Sequence, residues 1–255
     1  MRSALRSASR WYSLLVVAAA WELMARSGMI SHRLMPDLWT IASAFWTVLV
    51  NGDVIYHASF SVGRALIGFA FAAIAGIALG VAMARSPRFE AIFEPVFSFG
   101  YPIPKIALFP IFIFIFGLGH MSKIALVFLE SLYPITIGTY YGIKAVERIY
   151  VWNAQAMGAN RRQVFFRVLV PAALPYIASG LRIAVHVAMI VVIILEMIGD
   201  STGLGYFVVY AGASYEYARS FAGILAIVIC GFALDRIAVM LRNKLVFWQR
   251  EVALR

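Results

Sequence analysis

The sequence predicts an all-α, polytopic membrane protein with about six transmembrane helices. Three observations carry this: an excess of apolar residues, uncharged runs long enough to cross a bilayer, and positive charges gathered on alternate connections. Of 255 residues, 63% are hydrophobic and 13% are charged. Soluble domains carry charge on about a quarter of their residues. A soluble fold of this length has too little interior to hide so much apolar surface, whereas a bilayer solvates it from outside. Linker-like composition interrupts no part of the chain, so 1–255 reads as a single transmembrane domain. The lone cysteine, Cys230, cannot form an intrachain disulfide and carries no information on redox compartment.

A helix rises about 1.5 Å per residue, so about 20 residues cross the hydrocarbon core. The first candidate is 11–29. Arg2, Arg6 and Arg10 precede its apolar part, an arrangement shared with signal peptides. Trp21 and Glu22 stand where small cleavage-site residues would be needed, and apolar character resumes at Leu23, so the segment reads as an anchor. Glu22 lies four residues before Arg26, a spacing that pairs them on one helix face. The second run, 65–84, is uncharged. Gly63, Gly68, Gly76 and Gly80 give it a close-packing face, or else reflect the ordinary tolerance of glycine in membrane helices.

The third run is 106–122. The fourth, 124–143, is broken only by Glu130, and the fifth, 183–198, only by Glu196. The sixth, 221–241, carries Asp235 and Arg236 near its end. Barrel strands would need short alternating segments, and these runs are continuous. Pro102, Pro104, Pro110 and Pro134 are expected to break or kink helices, the first two alternatively shaping a loop.

Positive charge is unevenly distributed. With the N-terminus inside, one set of connections holds Arg2, Arg6, Arg10, Arg85, Arg88, Lys144, Arg148, Arg161, Arg162, Arg167, Arg242, Lys244, Arg250 and Arg255. The opposite set holds Arg26, Arg33, Lys123 and Arg219. Both termini are therefore expected in the cytoplasm. This asymmetry accounts for the net charge of +10 without a nucleic-acid partner.

The longest inner connection, about 144–175, reads as two short amphipathic helices joined at Gly158. Asn160 can cap the second, with Gln163 three residues on as in a capping box. Val164, Phe165, Val168 and Leu169 share one face. Pro171 and Pro175 are expected to stop this helix before the next span. By itself such a segment fits an interfacial helix on anionic lipid.

The stretch from Gly158 to Pro175, GANRRQVFFRVLVPAALP, resembles the EAA loop of binding-protein-dependent ABC importer permeases. Ala154, Gly158 and Pro171 match that pattern, while Trp152 and Asn153 replace its initial Glu and Ala. Further similarity lies at 64–69, 101–110, 179–182, 196–199 and 203–206. The subgroup it most resembles imports nitrate, aliphatic sulfonates or taurine, with thiamine precursors in related systems. The resemblance implies a type I importer permease fold in a bacterial inner membrane. It implies cytoplasmic ABC ATPase subunits, a second permease copy giving a homodimer, and a periplasmic or lipid-anchored substrate-binding protein. Ala154, Gly158, Ala159, Arg161, Arg162, Phe165 and Pro171 would then couple to the ATPase. The chain has no Gly-x-x-x-x-Gly-Lys-Ser/Thr loop, and no Lys follows a Gly. ATP and Mg are accordingly expected on the partner, with no cofactor and no enzymatic activity on this chain.

Ionisable residues within spans are costly and mark functional candidates. Glu130, with Tyr133 nearby, is assigned to a solute path or to a bond with a neighbouring helix. Arg182 is assigned to the solute path, or reaches the inner interface by snorkelling. His186, at i+4 from Arg182, joins the path candidates or simply bonds within the bundle. Glu196 is likewise a path candidate, or simply reaches water at the outer end. The four histidines are scattered, with no metal-ligand spacing. Two other classes remain to be separated from the importer: a self-sufficient secondary transporter or channel, which would need internal repeats or paired charges, and an intramembrane enzyme, which would need polar groups at matched depth.

Overall fold

A computed structural model describes residues 2–248, with side chains from Tyr12 onward. Arg250 and Arg255, and the side chains of Arg2, Arg6 and Arg10, all counted in the charge asymmetry, lie outside the described residues. The described chain is helical throughout: α1 (Arg2–Arg26), α2 (Leu38–Val50), α3 (Asp53–Arg85), α4 (Pro87–Gly100), a 3₁₀ turn (Lys105–Leu108), α5 (Phe109–Phe116), α6 (His120–Lys144), α7 (Arg148–Ala156), α8 (Arg161–Val164), a π turn (Phe165–Leu169), α9 (Val170–Gly199), α10 (Leu204–Ala213) and α11 (Tyr217–Leu245).

By length and composition, α3, α6, the run Arg161–Gly199 and α11 can each cross a bilayer. The pair Pro87–Gly100 and Lys105–Phe116 adds a fifth crossing only as a broken span, bent by 93°. The expected third span, 106–122, is therefore not one helix. Pro102 and Pro104 sit in the break, Pro110 opens α5, and Gly117 ends it. α1 falls outside the set, because charged residues bracket a shorter apolar stretch in its sequence. Its Glu22 pairs with Arg26 at 2.6 Å, as the spacing required, and accepts the Leu38 N–H at 3.0 Å, which ties α1 to α2.

α6 occupies the centre, flanked by α3 and α9, and α11 leans on α9, α2 and α10. Small residues permit these crossings. A Cβ added at Gly68, Gly76 or Gly80 of α3 would come within 2.7 Å of Val127, 2.9 Å of Ile135 or 2.6 Å of Thr139 on α6. Gly63 has nothing within 4 Å, so it belongs to the tolerated class. On the opposite side of α6, Gly138 and Gly180 face each other, and a Cβ at Gly180 would lie 2.7 Å from the Pro134 carbonyl. Helices in lipid gain from such close backbone approach because apolar burial against tails supplies little.

The accessible surface is 16280 Å². A soluble monomer of 28.2 kDa would show about 11,000 Å². Much of the excess is apolar, with Trp39, Phe71, Ile74, Phe99 and Phe114 exposed along the sides of the helices. Lipid or a partner must cover such a surface.

Candidate functional site

The connection between α6 and α9 is built by local capping. α7 ends at Ala156, and Gly158 follows at φ +85°, a left-handed conformation that favours glycine. Ala159 N–H donates to the Ala154 carbonyl at 3.0 Å and Gly158 N–H to the Gln155 carbonyl at 2.9 Å, the paired bonds of a Schellman turn. Asn160 then starts α8. Gln163 N–H donates to its side chain at 2.9 Å, and Asn160 N–H donates to Gln163 Oε1 at 2.8 Å, a complete capping box. The turn therefore has a defined shape before any tertiary contact is counted.

Pro171 and Pro175 do not stop the helix. Val170 N–H donates to the Phe165 carbonyl five residues back, making the π turn, and the helix runs on to Gly199. In a regular turn the Pro171 ring would meet the Arg167 carbonyl, and the wider π turn just before it relieves that conflict.

Ala154 and Val164 are buried beneath the turn. Phe165, assigned from sequence to the partner contact, is also buried; the Arg85 guanidinium at the end of α3 lies 4.6 Å from its ring centre. It anchors the connection to the bundle instead. The surface presented outward consists of Trp152 (59% exposed), Met157 (82%) and Phe166, with Arg161, Arg162 and Arg167. Ala159 and Pro171 are half-buried.

At the opposite end lies a charged cluster. Arg64 of α3 is 3% exposed, Lys123 of α6 0% and Glu196 of α9 1%. Arg64 meets Glu196 Oε1 at 2.7 Å and Asp200 Oδ2 at 2.8 Å; Lys123 meets the same Asp200 oxygen at 3.0 Å. Arg64 also donates to His120 Nδ1 at 2.9 Å and Thr202 Oγ1 at 2.6 Å. Glu196 Oε2 accepts from the Ser61 hydroxyl at 2.7 Å and the Gly205 N–H at 3.1 Å. Burial alone would raise the Asp200 carboxyl, yet the Ser201 N–H, Lys123 and Arg64 hold it below the usual carboxylate range. Glu196 thus does not reach water, and Lys123 is not a loop residue. A charge buried this far from water needs partners, and here each has several.

A third group joins α9 to α11. Arg182 donates to Asp235 Oδ1 at 2.9 Å, and His186 Nε2 lies 3.2 Å from the same oxygen. Arg182 is held to α11 by Asp235 rather than left free to snorkel. A fourth group brings Glu130 and Tyr133 of α6 to Lys105 at the break before α5, with Lys105 Nζ 3.7 Å from Glu130 and 3.9 Å from the Tyr133 ring centre. Sequence reasoning missed Arg64, Lys105, Lys123, Asp200 and Asp235. Their signal was complementary charge on different segments, such as Arg64 beside the run 65–84 against Glu196 near the end of 183–198.

The family model described as the binding-protein-dependent transport system inner membrane component matches residues 72–246. The chain belongs to that family. This membership supports the importer reading over the self-sufficient transporter or an intramembrane enzyme, and makes the chain a transport subunit of an ABC importer. The matched region contains the capped turn, Glu130, Arg182, His186 and Glu196, while Arg64 precedes it. Among curated permeases, the putative aliphatic sulfonates transport permease protein SsuC of Bacillus subtilis (strain 168) is 30% identical over 234 residues, covering 92% of this chain and 85% of that one. The taurine transport system permease protein TauC of Escherichia coli (strain K12) is 31% identical over 245 residues, covering 94% and 89%. An inward-facing structure of the MetNI methionine ABC transporter superposes with a TM-score of 0.64 at 16% identity, covering 82% of this permease and 97% of that chain. An amino acid ABC transporter crystallised with histidines gives 0.63 at 14%, covering 80% and 98%. These two likenesses establish the fold.

Proposed function

We propose that this permease imports a small solute: a sulfonate, taurine, nitrate or a related small organic compound. An extracytoplasmic binding protein delivers the solute, and separate cytoplasmic ATPase subunits carrying ATP and Mg supply the energy. The observation that carries this reading is the preformed turn at Gly158 with its outward face of Trp152, Met157, Phe166 and three arginines. A rigid projection with exposed aromatics ringed by cations suits a cleft with acidic walls on another protein. Phe165 holds the turn to Arg85 of α3, and the turn runs on into the continuous helix Arg161–Gly199, so a push on the turn passes into that helix. Rigid-body tilting of such a helix is the physical basis of alternating access.

The substrate class comes from the sulfonate and taurine permeases this chain is similar to. Two copies would enclose the path as a homodimer in a bacterial inner membrane, with lipid on the remaining apolar surface and both termini cytoplasmic. The path candidates are Glu130, Tyr133, Arg182 and His186; the burial of Glu196 argues for an architectural role instead. The test is copurification from mild detergent, wild type beside Gly158→Arg, each coexpressed with the ATPase. The ATPase should accompany the wild type and be lost from a folded Gly158→Arg, because an arginine at φ +85° disrupts the turn. A wild-type sample that retains no ATPase even after crosslinking would overturn the reading.

A further inference from the structure

The Lys105–Glu130 pair differs from the other charged groups in how little it is satisfied. Arg64–Glu196, Lys123–Asp200 and Arg182–Asp235 close to 2.7, 3.0 and 2.9 Å, whereas Lys105–Glu130 stands at 3.7 Å. The Glu130 carboxylate accepts no hydrogen bond among the described residues. Lys105, 5% exposed, has one backbone acceptor, the Ile103 carbonyl at 3.3 Å, and the face of Tyr133. Glu130 and Tyr133 lie near the middle of α6, and Lys105 sits where the broken span turns by 93°. A discontinuous helix with uncommitted charge at mid-membrane is the setting in which transported solutes are held. Next to it, between α4 and α6, is a cavity of about 300 Å³ lined by Glu94, Phe97, Ser98, Tyr101, Thr136 and Tyr140. The Phe97 ring packs on Tyr133 at 4.9 Å, so this cavity lies one ring away from the pair.

We infer that Lys105, Glu130 and Tyr133 form a contact station for a small zwitterion, with an acidic group at one end and an ammonium at the other. The inference rests on the importer reading and narrows its substrate class. A plain anion would meet Glu130 at short range, and a plain cation would meet Lys105, each with a repulsion sharpened by the low-dielectric surroundings. A zwitterion lies antiparallel to the Lys105–Glu130 pair, acid to ammonium at both ends, and satisfies both charges. Tyr133 holds Lys105 from behind through its ring face, which leaves the remaining ammonium hydrogens for the solute's acid group.

The competing role is structural, with the pair merely pinning the broken span to α6. Binding of taurine, β-alanine, ethanesulfonate and ethylamine to the permease–ATPase complex in lipid nanodiscs separates the two. The wild type should bind taurine or β-alanine at least about tenfold more tightly than ethanesulfonate or ethylamine. Glu130→Gln should erase that preference from both sides, weakening taurine and tightening ethanesulfonate, because the ammonium loses its partner and the plain anion loses its repulsion. Tyr133→Phe, which keeps the ring, should retain the preference and report that the site is folded. A complex that holds its ATPase yet binds single-charge and zwitterionic probes alike, or binds none of them, overturns the inference alone. So does a Glu130→Gln complex that keeps the preference. A wild-type permease that holds no ATPase fails at the earlier reading instead.

Discussion

Arg64, Glu196, Asp200 and Lys123 bring four formal charges into a region almost without solvent, and Ser61, His120, Thr202 and nearby backbone groups add hydrogen bonds. Removing one member strands the rest, at a cost of about 3–5 kcal/mol, whereas removing an opposed pair together costs far less. Arg64→Met should therefore lower the melting temperature in detergent sharply, and Arg64→Met with Glu196→Met should recover much of the loss, since Lys123 still faces Asp200. A double variant no more stable than the single one would mean that Arg64 acts through packing alone. Gly203 reports the same crowding: at φ +106° it passes over the Glu196 carboxylate, and an added Cβ would collide with it. None of this was readable locally. Arg64 and Glu196 are 132 positions apart, and an isolated Glu near a span end fits water exposure equally well until another helix is placed against it.

At the scale of elements, identical residues in one helix carry opposite expectations. Gly80 sits where α3 meets Thr139, with 2.6 Å left for a Cβ. Gly80→Leu should force α3 and α6 apart, costing about 1–3 kcal/mol or more, and reduce the folded yield in detergent. Gly63→Ala, with open space around it, should be neutral or stabilise by up to about 1 kcal/mol through helix propensity. Equal damage from both would show that the stripe is not what sets the α3–α6 distance. The glycine spacing was visible in the sequence, but the choice between packing and tolerance was not, because nearly every neighbour is apolar. The loop shows the reverse balance. Its break at Gly158 and its capping box were legible because both depend on residues a few positions apart. The expected stop at Pro171 was wrong because a π turn of Phe165–Leu169 gave the proline ring room, a choice that depends on how the flanking turns are held.

For the whole molecule, the positive-inside pattern makes a topological prediction. In cells carrying Cys230→Ser, Ser31→Cys between α1 and α2 should react with a membrane-impermeant maleimide from outside. Ala159→Cys should react only after permeabilisation. The reverse labelling would invert the proposed orientation and remove the coupling turn from the ATPase side. What the sequence by itself determined is the helical membrane class, the family and the capped turn. The class follows from composition over the whole chain, the turn from bonds between near neighbours, and the family from the resemblance carried by the stretch 158–175; all three are written along the chain. Tertiary structure alone decided that the third run breaks beside Glu130, that Lys105 meets it there, that Asp235 takes up Arg182 and His186, and that Glu196 is sealed in by Arg64. In a chain this apolar, polar contacts between distant segments depend on helix rotation and depth, and local periodicity leaves both undetermined.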